Sequence, residues 1–465
     1  MKRVIVTIAI SLLLGGCATV PPRDRPTPTV AVPATWSAAP TAAAAVVEET
    51  WWEQFNDPEL TRLVQEALLS NADLATLAER VELARAEGRL ATSNARPSAS
   101  ASTGIRAGKE HTRESGFKTA SMRPWTAGGA FGWELDWLGK WRDRRAAAQQ
   151  GVLANEADLN AGRFLLAAEV ATTWFQLRRY RAEAVILEDS LNRQNEMLAI
   201  YRDRFRAGVL EASVVERQEA EAAELKRRQV RARMLAETQV RLLDRLRGGV
   251  AGEREYLAQG LELRTTIPSL PTALPGDVLR RRPDLAAAEA RLQEAFSLER
   301  AARLDLFPSL RLRLTGTTAS GSLTDPFQSW ISEFGPRLDL PIWDPKRLAQ
   351  SRVHTARAQI VAAEYRAAAL RAVEDVEVAV VQFHHRQTEL ELAGEVVSKA
   401  QSVREQTDEK RRAGIVSQLE VLEDERRALA AELSEVAIRV QLLTDAVTVF
   451  RSMATTGHSM QFSSE

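Results

Sequence analysis

Cys17 is the only thiol in this chain of 465 residues, and its setting limits the chemistry it can do. It closes the stretch Leu14-Gly15-Gly16-Cys17, which follows two basic residues, Lys2 and Arg3, and an apolar core. That is the three-part layout of a secretory signal. Its end has the form of a bacterial lipobox, in which the signal is cut before Cys17 and that cysteine is lipidated. Ala18 rather than aspartate follows, as in sorting to an outer membrane. Several acyl chains make a firm anchor, so the mature chain is expected to be tethered to lipid. With Cys17 acylated, no thiol remains for a disulfide, a metal or nucleophilic catalysis.

The other residues with chemical potential are scattered. His111, His354, the adjacent pair His384 and His385, and His458 have no metal-ligand spacing with carboxylates or cysteine. No phosphate-binding Walker loop is present. No catalytic residue, cofactor or metal site is expected, and the reading is not an enzyme. The charges balance, with 62 Lys and Arg against 62 Asp and Glu, which argues against a nucleic-acid partner. No apolar run of about 20 residues offers a spanning helix. Glu420 and Glu423 lie three apart and so share one helix face. A solvated charged face is the plain alternative for them.

The elements that hold these residues come in two copies. Residues 204–213, RFRAGVLEAS, are answered by KRRAGIVSQL at 410–419, and DLATLAERVELARAEGRLATSNARP from Asp73 by DLAAAEARLQEAFSLERAARLDLFP from Asp284. ELDWLGKWRDRR from Glu134 answers RLDLPIWDPKRL from Arg337 with a short insertion. Anchors in the same order mean a tandem duplication, two structural copies rather than a solenoid of short repeats. The expected organisation is a signal peptide over 1–16, the lipidated cysteine and a Pro/Ala-rich tether over 17–50, and repeats over 51–265 and 266–460. From Lys140 to Arg206 and from Lys346 to Arg412 there is no proline, and good helix formers dominate. Leu187, Leu191, Gln194, Leu198, Tyr201 and Phe205 make a seam of alternating four- and three-residue steps. In the second copy Leu370, Val373, Val376, Val380 and Phe383 line one side. At 1.5 Å per residue each helix would run roughly 100 Å. Gly208 and Gly414 then sit where long helices reverse, since glycine takes the left-handed conformation that ends a helix.

The strand signals lie at about 98–112, 124–137, 309–319 and 328–341. Trp125, Ala127, Gly129, Phe131, Trp133 and Leu135 alternate with small or polar residues. Leu310, Leu312 and Leu314 alternate with Arg311 and Arg313. Trp330, Phe334 and Leu338 face away from Glu333, Arg337 and Asp339. A period of two with one apolar face suits a membrane barrel whose lumen is wet, with Arg311, Arg313, Glu333 and Arg337 in that lumen. Four strands cannot close a barrel, so the chain must associate with copies of itself.

The residues LLLGGC, WW..F.DPEL..LV..AL..N.DL, LRRRPDLAAAEARL and the paired Ala-Gly tips resemble the TolC-like outer-membrane efflux proteins. More narrowly, they resemble the lipoprotein branch that serves resistance-nodulation-division pumps. The resemblance implies a membrane α+β fold, a homotrimer with a twelve-stranded β-barrel continued by a periplasmic α-helical barrel. It implies a passive, gated exit duct for drugs or other small toxic compounds, joined through a periplasmic adaptor to an inner-membrane pump. It carries adaptor contacts to Ala207, Gly208 and Val209 and to Ala413, Gly414 and Ile415. Glu420 and Glu423 match acidic positions at the tunnel mouth, where relatives more often have aspartate. The first tip has Val214 and Arg217 at the matching places, and Arg217 is expected to latch to Glu423 of a neighbouring copy. A non-pore coiled-coil lipoprotein, or the same pore serving protein secretion or metal export, remains open. Six methionines with no methionine-rich run do not suggest copper.

Overall fold

The computed structural model describes residues 50–105, 108–112, 118–122, 125–252, 265–270, 279–320 and 329–453. Cys17, the signal peptide and the tether up to residue 49 lie outside them. A 3-10 turn, Trp51–Phe55, leads into α1 (Pro58–Ser70) and α2 (Ala72–Asn94), then β1 (Ser98–Ile105), β2 (Gly108–Thr112), β3 (Lys118–Met122) and β4 (Trp125–Leu135). Then come α3 (Lys140–Arg206) and α4 (Ala212–Leu246). The second copy supplies α5 (Pro283–Leu304), β5 (Ser309–Ser320), β6 (Ser329–Asp339), α6 (Pro345–Arg412) and α7 (Gln418–Ser452). Among the described residues no helix is long and apolar enough to cross a membrane.

Aspartate and proline set the helix starts. Asp57 caps α1 by accepting from the N–H groups of Glu59 and Leu60, and Pro58 fills the first position, where its missing N–H costs nothing. Asp136 accepts from the N–H of Trp141 at 2.9 Å and of Arg142 at 2.7 Å, and Asp344 from that of Arg347 at 3.1 Å. Each holds the first turn of the long helix that follows its strand.

The described chain divides into two compact units. One comprises residues 80–156 and 287–367 and holds all the strands. Its main sheet has the order β1-β4-β5-β6, every neighbour antiparallel. β2 and β3 form a separate hairpin whose pairing keeps the register of the β1–β4 ladder. The expected strand at about 98–112 is therefore β1 plus β2, and β3 carries no hydropathy alternation that would have announced it. At the helix-joining end of the sheet Asp305 receives Lys140 at 3.3 Å and Arg144 at 2.7 Å, and Lys140 also meets Glu134.

The other unit comprises residues 50–79, 157–286 and 368–453, as far as they are described. Trp51, Phe55, Phe175 and Phe450 form its centre, with Trp51 stacked on Phe450 at 5.5 Å and Phe55 against Phe175 at 5.2 Å. The seam on α3 is buried from Leu187 through Tyr201, while Phe205 is exposed beside the turn. Gln194 sits inside that seam and donates to the Gln218 side chain at 2.8 Å and backbone carbonyl at 3.2 Å, so α3 and α4 are locked in register by a satisfied polar pair. On α6, Val376, Val380 and Phe383 are buried, but Leu370 is exposed.

Candidate functional site

Both helix reversals are built alike. At the first, the N–H of Gly208 donates to the Phe205 carbonyl at 2.9 Å and that of Val209 to the Arg204 carbonyl at 3.0 Å. At the second, Gly414 donates to Arg411 at 2.9 Å and Ile415 to Lys410 at 2.9 Å. This pairing is the Schellman motif, which satisfies carbonyls left over at a helix end and needs a left-handed residue at the turn. The glycines supply it with φ of 72° and 73°. The apolar residue after such a glycine ordinarily packs back on its own helix. Here Val209 is 74% exposed and Ile415 73% exposed. Ala207 and Ala413 are exposed as well, so each tip presents a small apolar surface held rigid by its own backbone.

Glu420 and Glu423 are both exposed on the first turns of α7. Ser417 caps that helix, accepting from the Glu420 N–H at 3.4 Å and donating to its carboxylate at 3.2 Å. Serine followed three residues on by glutamate is the sequence signature of this cap, and it gives Glu420 a structural duty at the helix start. Glu423 pairs with Arg427 at 3.5 Å. Arg217 is exposed on α4, and no carboxylate among the described residues pairs with it. The structure thus brings the two glutamates onto one turn and leaves Arg217 apart from them within the chain. Two further contacts at this end were not foreseen. Thr407 of α6 donates to Asp424 of α7 at 2.8 Å, and Arg426 of α7 donates to Glu221 of α4 at 3.1 Å, tying the two hairpins together. Beside them Glu425 has its carboxyl pushed up by burial, opposed by Arg193, Arg404 and Arg411 and assisted by Asp408.

In the sheet, register sorts the residues by face. Trp125, Phe131, Trp133 and Leu135 of β4 lie in line with Leu310, Leu312 and Leu314 of β5 and with Trp330, Phe334 and Leu338 of β6. The opposite face carries Ser98, Ser100 and Ser102 of β1, Glu134 of β4, Arg311 and Arg313 of β5, and Glu333, Arg337 and Asp339 of β6. All four expected lumen residues fall on this polar face. Arg311 reaches Glu134 at 3.4 Å and Asp339 at 3.7 Å, and Arg337 reaches Asp339 at 2.9 Å. On the apolar face Trp330 is 69% and Phe334 75% exposed.

The motif residues around Asp57 and Arg282 turn out to be fasteners. Asp57 accepts from the Trp174 indole at 2.9 Å and from Arg178 at 2.8 Å. Arg282 is buried, grips Asp284 through two bonds of 3.0 and 2.7 Å, and donates to the carbonyls of Ala372 at 3.3 Å and Ser452 at 3.0 Å. Among the described residues no group of three His, Cys, Asp or Glu side chains is close enough to hold a metal ion.

The sequence profile described as "Outer membrane efflux protein" matches residues 63–249 and 274–455. The chain belongs to that family. This efflux protein is 27% identical to the probable efflux pump outer membrane protein TtgC of Pseudomonas putida, over 97% of this chain and 96% of TtgC. It is 25% identical to the probable outer membrane lipoprotein SilC of Salmonella typhimurium, over 93% of this chain and 94% of SilC. Among solved structures it is similar to the outer-membrane channel OprN, with a TM-score of 0.83 and 27% identity over 93% of this chain and 98% of that one. The fold is that of the TolC-like channels. The relatives are transport proteins, not enzymes.

Proposed function

We propose that this protein is the outer-membrane duct of a tripartite efflux system, in which three copies close a twelve-stranded barrel. The observation that carries the reading is the four-stranded sheet. One face is apolar and exposed, the other is polar, and β1 and β6 each pair on one side only among the described residues. Lipid does not tolerate such open edges, because every unpaired backbone group there costs several kcal/mol. Three antiparallel steps make β6 run opposite to β1, so copies join edge to edge with the alternation unbroken.

In this reading the helical hairpins form a periplasmic tunnel. The exposed tips Ala207–Val209 and Ala413–Ile415 meet the adaptor, whose inner-membrane partner is a resistance-nodulation-division pump. Glu420 and Glu423 ring the mouth in three copies, attract cations and repel one another, and Arg217 latches to Glu423 of the next copy. Cys17 carries the lipid anchor, a reading supported by its lipobox and by the similarity to SilC. The cargo is a small toxic compound delivered by the pump.

Purified protein in a planar bilayer tests this directly. It should give stepwise single-channel currents, and exchanging Glu420 and Glu423 for lysine should change the conductance and its response to divalent cations. Silence from protein that is folded but monomeric in detergent would remove the proposal.

A further inference from the structure

Three successive rows of side chains on the polar face of the sheet lie in register toward its helix-joining end. The first, next to the Ser309–Asp339 pair, is Glu134, Arg311 and Arg337, and its charges are neutralised within the chain by one another, by Asp339 and by Lys140. The third row is Ser100, Ala130, Thr315 and Glu333. Between them lies Ser98, Gly132, Arg313 and Gly335. Arg313 is exposed there, and no carboxylate among the described residues pairs with it.

The residues on either side of Arg313 are glycines that no crowding requires. A methyl group on Gly335 would meet nothing within 4 Å, and one on Gly132 only the Ser98 hydroxyl at 3.8 Å. They leave open space around a free guanidinium. On the Gly132 side that space belongs to a groove of about 1010 Å³ lined also by Ser98, Ser100 and Arg96. Arg96 is likewise exposed and pairs with no carboxylate among the described residues. A guanidinium presents a planar fork of donors that fits a two-oxygen anion, and serine hydroxyls add donors on the same wall.

We propose that Arg313, with Arg96 in the same groove, is an anion-holding station on the duct wall. It takes small molecules through a carboxylate, phosphate or sulfonate group. The inference rests on the reading that this face lines a duct. Three copies set a ring of three Arg313 guanidinium groups around one lumen, where low-dielectric walls strengthen their field and rings of arginine favour anions. The paired arginines of the neighbouring row lack that freedom.

The test is side-specific block of single channels by citrate in a bilayer of neutral phosphatidylcholine, where no anionic headgroup competes. Citrate added at the barrel mouth should reduce the current through the native channel. Arg313→Gln should raise the half-blocking concentration by about fivefold or more, Arg96→Gln by less, and Arg311→Gln least. Equal block in the native and Arg313→Gln channels would overturn the station while leaving the duct intact. Absence of any channel from the native protein would overturn the duct and the station with it.

Discussion

At Gly208 and Gly414 a Cβ would meet nothing within 4 Å, so an alanine there faces backbone strain alone. Left-handed geometry costs an L-residue about 1–2 kcal/mol. Gly208→Ala or Gly414→Ala should therefore lower stability by about that amount in denaturant titration without abolishing folding. Gly248 differs, since a Cβ there would stand 2.1 Å from the Ser70 carbonyl. Gly248→Ala should cost clearly more. Arg282 is the other residue with a sharp expectation. Truncating it to alanine leaves the Ser452 carbonyl at the end of α7 without its donor and unpairs Asp284, which is itself half exposed, so about 2–3 kcal/mol should be lost. Lysine should not restore it, because one ammonium cannot replace a planar fork. The glycines were legible in the sequence because the same phrase recurs at matched places between helices. Arg282 and Asp57 were legible only as motifs. Their partners at Ala372, Ser452 and Trp174 lie 90, 170 and 117 residues away, a distance no local pattern spans.

Among the elements, the strands were the most readable, since aromatic and leucine residues alternate with arginine and glutamate on β4, β5 and β6. β3 was not, because its five residues, KTASM, show no such contrast and it is placed by the hairpin it completes. On the long helices the periodic seam is buried from Leu187 through Tyr201, whereas Phe205 and Leu370 keep the period but are left uncovered within the chain. Phe334→Lys, at an exposed apolar position of β6, should cost up to about 2–4 kcal/mol if its row lies mid-bilayer, seen as reduced heat-stable oligomer in outer-membrane extracts. At the tip, α7 carries a pH-dependent contribution. Burial raises the Glu425 pKa above the ordinary carboxyl value of 4.5, so the folded state holds this proton more tightly than the unfolded chain. The stability from Glu425 is thus fully present below about pH 4.5 and is lost as pH rises through its folded pKa. Glu425→Gln should flatten that decline in a pH series of thermal melts. An unchanged slope would show that Glu425 does not report the burial of the tip.

For the whole molecule, the duplication, the open sheet edges and the family match bear on one proposal, that three chains of four staves each close a cylinder. Ser100 on β1 and Glu333 on β6 lie on the same polar face at the two free edges. The most direct measurement is therefore to replace both with cysteine and treat outer membranes with a short bismaleimide. The protein should run on a denaturing gel as one, two and three linked chains, with nothing larger. A ladder that continues past three, or protein that remains single while both cysteines are modified, would contradict a closed ring of three copies.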